Sequence, residues 1–324
     1  WEAKGYKPDV FGRWIGPEGD VALPLYQGTM LGQLNFSEQG FASGSGRSNH
    51  WEIIPCDRSI VLPKYMIGAS AAPSKSKMSC AKLAFRDITN ATNERTFIGA
   101  VLCGLPCGNT APVLVPKQRP LRRALLFSAA LCTLTSDYAA RMRIGGTHLN
   151  FFIAQDMPVP FGNIPQGAEV CLVRIAACLN FIHRRFAPEW LRLRALYPEL
   201  GKREWKYWWA VTEADRLRLR VEIDALCAEL YGLEPDDFDW IVRDDPSDPK
   251  GFWRVDKELP YRERLTGLAA AAFRALKAGQ WSADSAAALS NDDFFALLGI
   301  PELTSERAAK AKGLSEPLIR KRKG

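Results

Sequence analysis

The sequence predicts an α+β protein: a mixed α/β domain over residues 1–200, then a mostly helical region over 201–324 with a basic tail. Three observations predict it. Short apolar and β-branched runs broken by turn residues dominate the early chain. Apolar stripes at helical spacing, opened by capping residues and closed by glycine, dominate the later part. The length, 324 residues, suffices for two separate cores, and 47% hydrophobic with 24% charged residues is an ordinary globular balance, neither disordered nor fibrous.

Residues 1–63 are rich in Gly, Pro and aromatics, with an extended piece at 21–26. The run 40–49 superficially looks like a phosphate loop but lacks the Gly-Lys-Ser/Thr ending, so it reads as a plain loop. Between about 80 and 116, strands broken by turns are expected. Residues 82–86 alternate, 96–102 are β-branched and apolar, and the turn Gly108-Asn109-Thr110 precedes 112–115. Pro120 opens one long helix, with Leu121, Ala124, Leu125, Ser128, Leu131, Cys132 and Thr135 at helical spacing, ending before Gly145 and Gly146. A second helix is expected over 168–186.

Further on, Thr212 with Asp215 resembles a capping box, and Leu219, Ile223, Leu226 and Leu230 form a stripe that Gly232 ends. Short helices follow from Pro235, over 260–278 and over 291–298. Trp205, Trp208 and Trp209 cluster beside Lys202, Arg203 and Lys206. That cluster reads either as core joining the two halves or as a platform for stacking on bases. No internal repeat is present.

Charge is unevenly spread. The net +7 hides a local +9 over residues 64–149, where twelve basic residues face three acidic ones, and −6 over 212–264. Residues 303–324 add +5. Such a distribution suits a polyanion on one side, or simply a solvated basic face. The longest apolar stretches, such as 124–134, fall far short of the ~20 residues of a spanning helix, so no membrane partner is expected. There is no apolar signal-peptide core, and a start at Trp1 suggests a piece of a longer protein. The eight cysteines lack a framework and read as buried reduced thiols of a cytoplasmic protein. Cys103 and Cys107 have no second ligand pair, so no metal is expected.

The sequence lacks several catalytic motifs. There is no Pro-Pro dipeptide, no His-Glu-x-x-His and no Gly-x-Ser-x-Gly elbow between strand and helix. Asp87 and Glu94 lack a suitably placed Lys for a nuclease site. The richest segment runs from Arg141 through Arg143, Gly145, Gly146, Thr147, His148 and Asn150 to Ile153. Two glycines there allow a turn or a close approach to a ligand, and the polar side chains after them suit base edges or phosphates. The alternative is a helix cap followed by a strand, with Thr147 and Asn150 satisfying local backbone.

The stretch from Asp137-Tyr138 through Arg143-Ile-Gly-Gly-Thr-His-Leu-Asn-Phe-Phe to Met157-Pro158-Val159-Pro160 closely resembles the target-recognition region of large bacterial adenine-specific DNA methyltransferases. That class includes fused type II restriction–modification enzymes and phage-defence methylases. Further pieces follow in the family's order: Leu25 to Met30 with Phe36, Phe85 to Ile88, Glu94 to Thr96, Gly108 to Pro112 and Ile223 to Leu233. The resemblance spans about residues 21–276, and a similar recognition domain occurs in type I restriction specificity subunits. The stretch 30–36 departs from the more basic or His-containing pattern of many members.

The resemblance implies sequence-specific recognition of double-stranded DNA for adenine-N6 methylation. S-adenosylmethionine and the Pro-Pro-containing catalytic tetrapeptide would then belong to a catalytic domain N-terminal to this region, or to a partner subunit. Implied DNA-binding residues are Arg86, Asn93, Arg95, Asn109, Arg143, Thr147, His148 and Asn150. The other class of reading is a scaffold of a bacterial defence complex with only weak DNA contact.

Overall fold

Apolar runs interrupted by Gly, Pro and Asn produce nine short strands in the computed structural model, which describes residues 1–11, 13–72 and 81–300. They are β1 (Lys7–Pro8), β2 (Trp14–Ile15), β3 (Val21–Leu25), β4 (Gln39–Ser43), β5 (His50–Ile53), β6 (Tyr65–Gly68), β7 (Lys82–Phe85), β8 (Gly99–Leu102) and β9 (Val113–Leu114). All their pairings are antiparallel. They form a sheet in the order β1-β2-β3-β6, a hairpin β4-β5, and a sheet β8-β7-β9. The helices are α1 (Pro120–Leu131), α2 (Leu134–Arg143), α3 (Phe151–Gln155), α4 (Gln166–Asn180), α5 (Ala187–Leu196), α6 (Glu213–Leu230), α7 (Pro235–Ile241), α8 (Leu265–Lys277) and α9 (Asn291–Leu297). The α+β class is as the sequence predicts. The basic tail lies outside the described residues.

The chain divides into two compact units, each assembled from three stretches. One comprises Trp1–Ile88, Ile98–Ser128 and Asn180–Trp209, and holds every strand together with α5. The other comprises Thr89–Phe97, Ala129–Leu179 and the chain from Ala210, and is helical. A single cut near residue 200 therefore does not describe the domains. Polar bonds from α6 explain why 129–179 joins the helical unit. Asp224 Oδ1 accepts from Leu134 N at 2.6 Å, Arg216 donates to Leu179 O at 3.0 Å, and Glu222 sits between Arg218 (2.7 Å) and Arg174 (3.8 Å).

The long helix expected from Pro120 is two helices. Thr133 is extended, and its hydroxyl caps α2 by accepting from Ser136 N at 3.2 Å. A threonine that offers the backbone a local partner breaks a helix that the apolar stripe alone would continue. The helix expected over 168–186 stops at Asn180, whose Oδ1 accepts from Val101 N at 2.8 Å. His183 then caps a 3-10 turn through Nδ1, accepting from Arg185 N at 3.1 Å. The alternation over 82–86 does not mark a solvent face. All of β7 is buried, and the Lys82 ammonium donates to Leu105 O at 2.5 Å.

In the β-rich unit the core is aromatic. Phe181 stacks on Phe186 at 4.6 Å, Phe36 meets Phe186 edge-on at 5.0 Å, and Trp190 Nε1 donates to Phe181 O at 2.9 Å. In the helical unit, α6 packs against α8, with Phe238 of α7 meeting Phe273 at 5.6 Å. The Thr212 hydroxyl caps α6, accepting from Asp215 N at 3.1 Å, as its sequence predicts. Among the described residues no helix is long and apolar enough to cross a membrane.

Candidate nucleic-acid interface

The segments that carry the family resemblance meet in two places, one in each unit. In the β-rich unit, Gly28 N donates to Thr110 Oγ1 at 3.1 Å, and a Cβ on Gly28 would run into the Thr110 carbonyl oxygen. Asp87 N donates to Thr110 O at 3.2 Å. Arg86 is half-buried, with Nε donating to Leu31 O at 2.7 Å and Nη2 to the same oxygen. Burial pulls its pKa down, against the attraction of Glu38. Arg86 is thus a fastener for the turn after Gly28, which corrects its expected role at DNA. Asn109 is exposed, at the turn closed by Ala111 N donating to Gly108 O at 3.0 Å.

In the helical unit the hub is a buried ion pair on α2. Arg141 and Asp137 are both fully buried and stand four residues apart, with Nε to Oδ2 at 2.9 Å. Asp137 Oδ1 accepts from Thr96 N at 2.8 Å and Phe97 N at 2.6 Å. Arg141 Nη2 donates to Asn93 O at 2.8 Å and Glu94 O at 2.7 Å, and Nη1 to Gly251 O at 2.8 Å. Its guanidinium carbon lies 4.0 Å from the centroid of the Phe252 ring. Burial lowers its pKa, and Asp137 opposes that shift. One planar fork with five donors therefore fixes the loop 89–97 and the segment 250–252 at once.

Arg95 belongs to this framework as well. Its side chain is 10% exposed and pairs with Asp224 at 3.8 Å. Burial raises the Asp224 carboxyl to about 6, while Arg95 holds it lower. Like Arg86, Arg95 faces inward and is not placed to reach DNA.

The remaining candidates lie on the outside of the same hub. Asn93, Arg143, Thr147, His148 and Asn150 are all exposed. Thr147 O accepts from Thr89 N at 3.0 Å, so the loops 89–94 and 144–150 are joined directly. Buried Ile144, Leu149 and Ile153 anchor the second loop from beneath. Asn150 precedes α3 without a side-chain capping bond, and a short helix stands where the alternative reading placed a strand. Gly145 and Gly146 are exposed, neither lies in the left-handed region, and a Cβ on either would meet nothing within 4 Å. Neither a turn nor internal packing requires glycine there, so what the pair admits is close approach from outside.

Sequence reasoning passed over Asp137 and Arg141 as site-building residues. Their signal was an Asp and an Arg four apart on the inner face of a helix, beside Leu134, Ser136 and Ala140. The tryptophan cluster is half-buried in the β-rich unit, with Trp205 edge-on to Trp209 at 5.0 Å and Trp208 Nε1 donating to Leu200 O at 3.2 Å. Five of the seven described cysteines are buried, whereas Cys56 and Cys107 are half-buried. Among the described residues no three His, Cys, Asp or Glu side chains are grouped to hold a metal ion. No protein-family model, curated protein or solved structure matches the chain.

Proposed function

We propose that this chain recognises double-stranded DNA for an adenine-specific methyltransferase of bacterial restriction–modification or phage defence. The observation that carries the reading is the paired-loop surface of the helical unit. Asn93, Arg143, Thr147, His148 and Asn150 are exposed there; Arg141 fixes the first loop, where the Asn93 amide also donates to Thr89 Oγ1 at 3.2 Å, and Thr89 N ties the second loop to it, beside two glycines that no internal contact requires. Arg143 supplies a guanidinium for phosphate or guanine, and Asn93 and Asn150 are amides of the kind that bond adenine in two places. Positioning the duplex there would present an adenine for extrusion into a catalytic pocket. That pocket, with S-adenosylmethionine, belongs to a catalytic domain in cis or on a partner, in the bacterial cytoplasm.

The experiment is duplex-DNA binding by the full chain, first against a random-sequence duplex pool and then against the selected sequence. Arg143→Ala should weaken binding about 10-fold or more, and relax selectivity if the contact is to a base. A wild-type chain that fails to bind any duplex at about 50 mM salt would end the reading.

A second reading has one specific observation in its favour. Met142, Phe151 and Phe152 are exposed beside the loops, Phe152 to 62%. A scaffold would bury them against a protein partner. Phe152→Ser separates the two, because it should abolish a scaffold's assembly while leaving the affinity for DNA of the recognition chain within a factor of a few.

A further inference from the structure

The basic stretch 64–149 has twelve cations, and burial decides what each is used for. Lys75 and Lys77 lie outside the described residues. Lys82, Arg86, Arg95 and Arg141 are turned inward onto carbonyls or carboxylates. Lys64 lies over the Tyr65 ring at 5.1 Å and donates to Asn49 at 2.6 Å, Arg122 is half-buried, and Arg143 belongs to the paired loops. Three cations remain, and they are neighbours: Lys117, Arg119 and Arg123.

All three are exposed, and none makes an ion pair among the described residues. No acidic residue occurs between Glu94 and Asp137 to neutralise them. Their position works against the stability of the fold. The first turn of α1 has no acid, and a cation at a helix N-terminus opposes the helix dipole. Arg123 N donates to Arg119 O at 3.0 Å, so the two arginines are four residues apart on one side of the chain, where like charges repel. Arg119 also holds φ at 45°, in the left-handed region where a glycine would sit without strain. Among the described residues no carboxylate pairs with these cations to offset the charge costs. A polyanion would compensate the charge terms together.

We propose that Lys117, Arg119 and Arg123 form a phosphate-backbone contact for duplex DNA. The inference rests on the DNA-recognition reading and adds to it a second contact, in the β-rich unit, that supplies affinity without reading sequence. Each phosphate neutralised releases a condensed counterion, so three contacts steepen the salt dependence of binding by about 2.7 in log–log slope.

The test uses the full chain, fluorescently labelled duplex DNA and a salt series. The comparison is between wild type, the triple variant Lys117→Gln/Arg119→Gln/Arg123→Gln, and a charge-matched control at exposed cations elsewhere, Lys4→Gln/Lys7→Gln/Arg58→Gln. Circular dichroism of each confirms folding. Between 50 and 200 mM salt the wild type should lose about 40-fold more affinity than the tract variant, and the control should track the wild type. An unchanged slope in the tract variant overturns the inference while leaving DNA recognition standing. An equal fall in both triples overturns it too, since total charge would then be the cause. Tract-dependent binding that prefers single-stranded RNA or phosphatidylserine vesicles to duplex DNA overturns the choice of partner. A wild type that binds no duplex removes the DNA reading and this contact together.

Discussion

Arg95 and Arg141 in the helical unit, and Lys117, Arg119 and Arg123 in the β-rich unit, come from the same basic stretch of sequence and do opposite things. Arg141 is buried and Arg95 nearly so, and they answer carbonyls and carboxylates that would otherwise lie unpaired away from water. The second group is exposed and makes no ion pair among the described residues. The difference lies in the neighbouring backbone. Residues 89–97 and 250–252 turn their carbonyls inward, and an arginine fork is the side chain with enough donors to satisfy several at once. A cation count alone therefore overstates the surface charge available to a polyanion.

The largest test of that contrast removes the fork. Arg141→Met keeps an apolar stem but leaves Asp137 buried without its cation and at least five carbonyls short of a donor. Breaking one side of a buried pair costs about 3–5 kcal/mol, so this variant should be unfolded or close to it in urea titration. A loss under about 1 kcal/mol would mean that the loops do not depend on Arg141. Arg86→Met is the smaller version in the other unit. Losing the bonds to Leu31 O should cost about 1.5–3 kcal/mol, with the DNA affinity of the folded variant unchanged. Unchanged stability with weakened DNA binding would restore Arg86 as a contact.

His183 sharpens the comparison through pH, since it is a potential cation that the fold keeps neutral. Burial, helped by Arg185 and Arg184, lowers its pKa from 6.5 to about 4. Its Nδ1 accepts from Arg185 N, which a protonated ring cannot do. The folded value lies below the unfolded one, so the unfolded chain takes up the proton first. The associated stability is present above pH 6.5 and is lost as pH falls toward 4. Discounted for partial exposure, the loss should reach about 1–2 kcal/mol at pH 4.5. Thermal melts from pH 7.5 to 4.5 should show a steeper fall for wild type than for His183→Gln. Parallel curves would mean that His183 already titrates near its ordinary value.

What the sequence made legible follows from this. Strands at 21–25 and 82–85 and the Thr212 cap rest on local signals, namely β-branched or apolar runs and a hydroxyl before a helix, and those survive into the fold. The break at Thr133 did not show, because a capping threonine inside an apolar stripe looks like any helical threonine until Asp224 takes Leu134 N. The interleaved units did not show either. They depend on bonds between α6 and residues about 40–90 positions earlier, for which a single sequence has no signal. Of the eight candidate contacts, Arg143 and the polar residues of the loops remained outside, while Arg86 and Arg95 turned inward. Long side chains reach whichever partner the tertiary fold supplies.

The smallest stability effect is the most informative about the site. Gly145→Ala and Gly146→Ala add a methyl group where nothing lies within 4 Å and where the backbone is open to ordinary residues. Substitution at such a position changes stability by less than about 1 kcal/mol and tends to favour the folded state, because alanine has fewer unfolded conformations to lose. If the glycines serve only the fold, nothing else should change. If they let a phosphate or base edge come against the backbone, the same methyl group should weaken duplex binding several-fold while thermal melts stay put or rise. Equal affinity for wild type and both variants would remove the glycine pair from the interface and leave the contact to the exposed side chains Arg143, Thr147, His148 and Asn150. Weakened binding without lost stability would place the contact at the glycines, since no interior contact of either glycine changes.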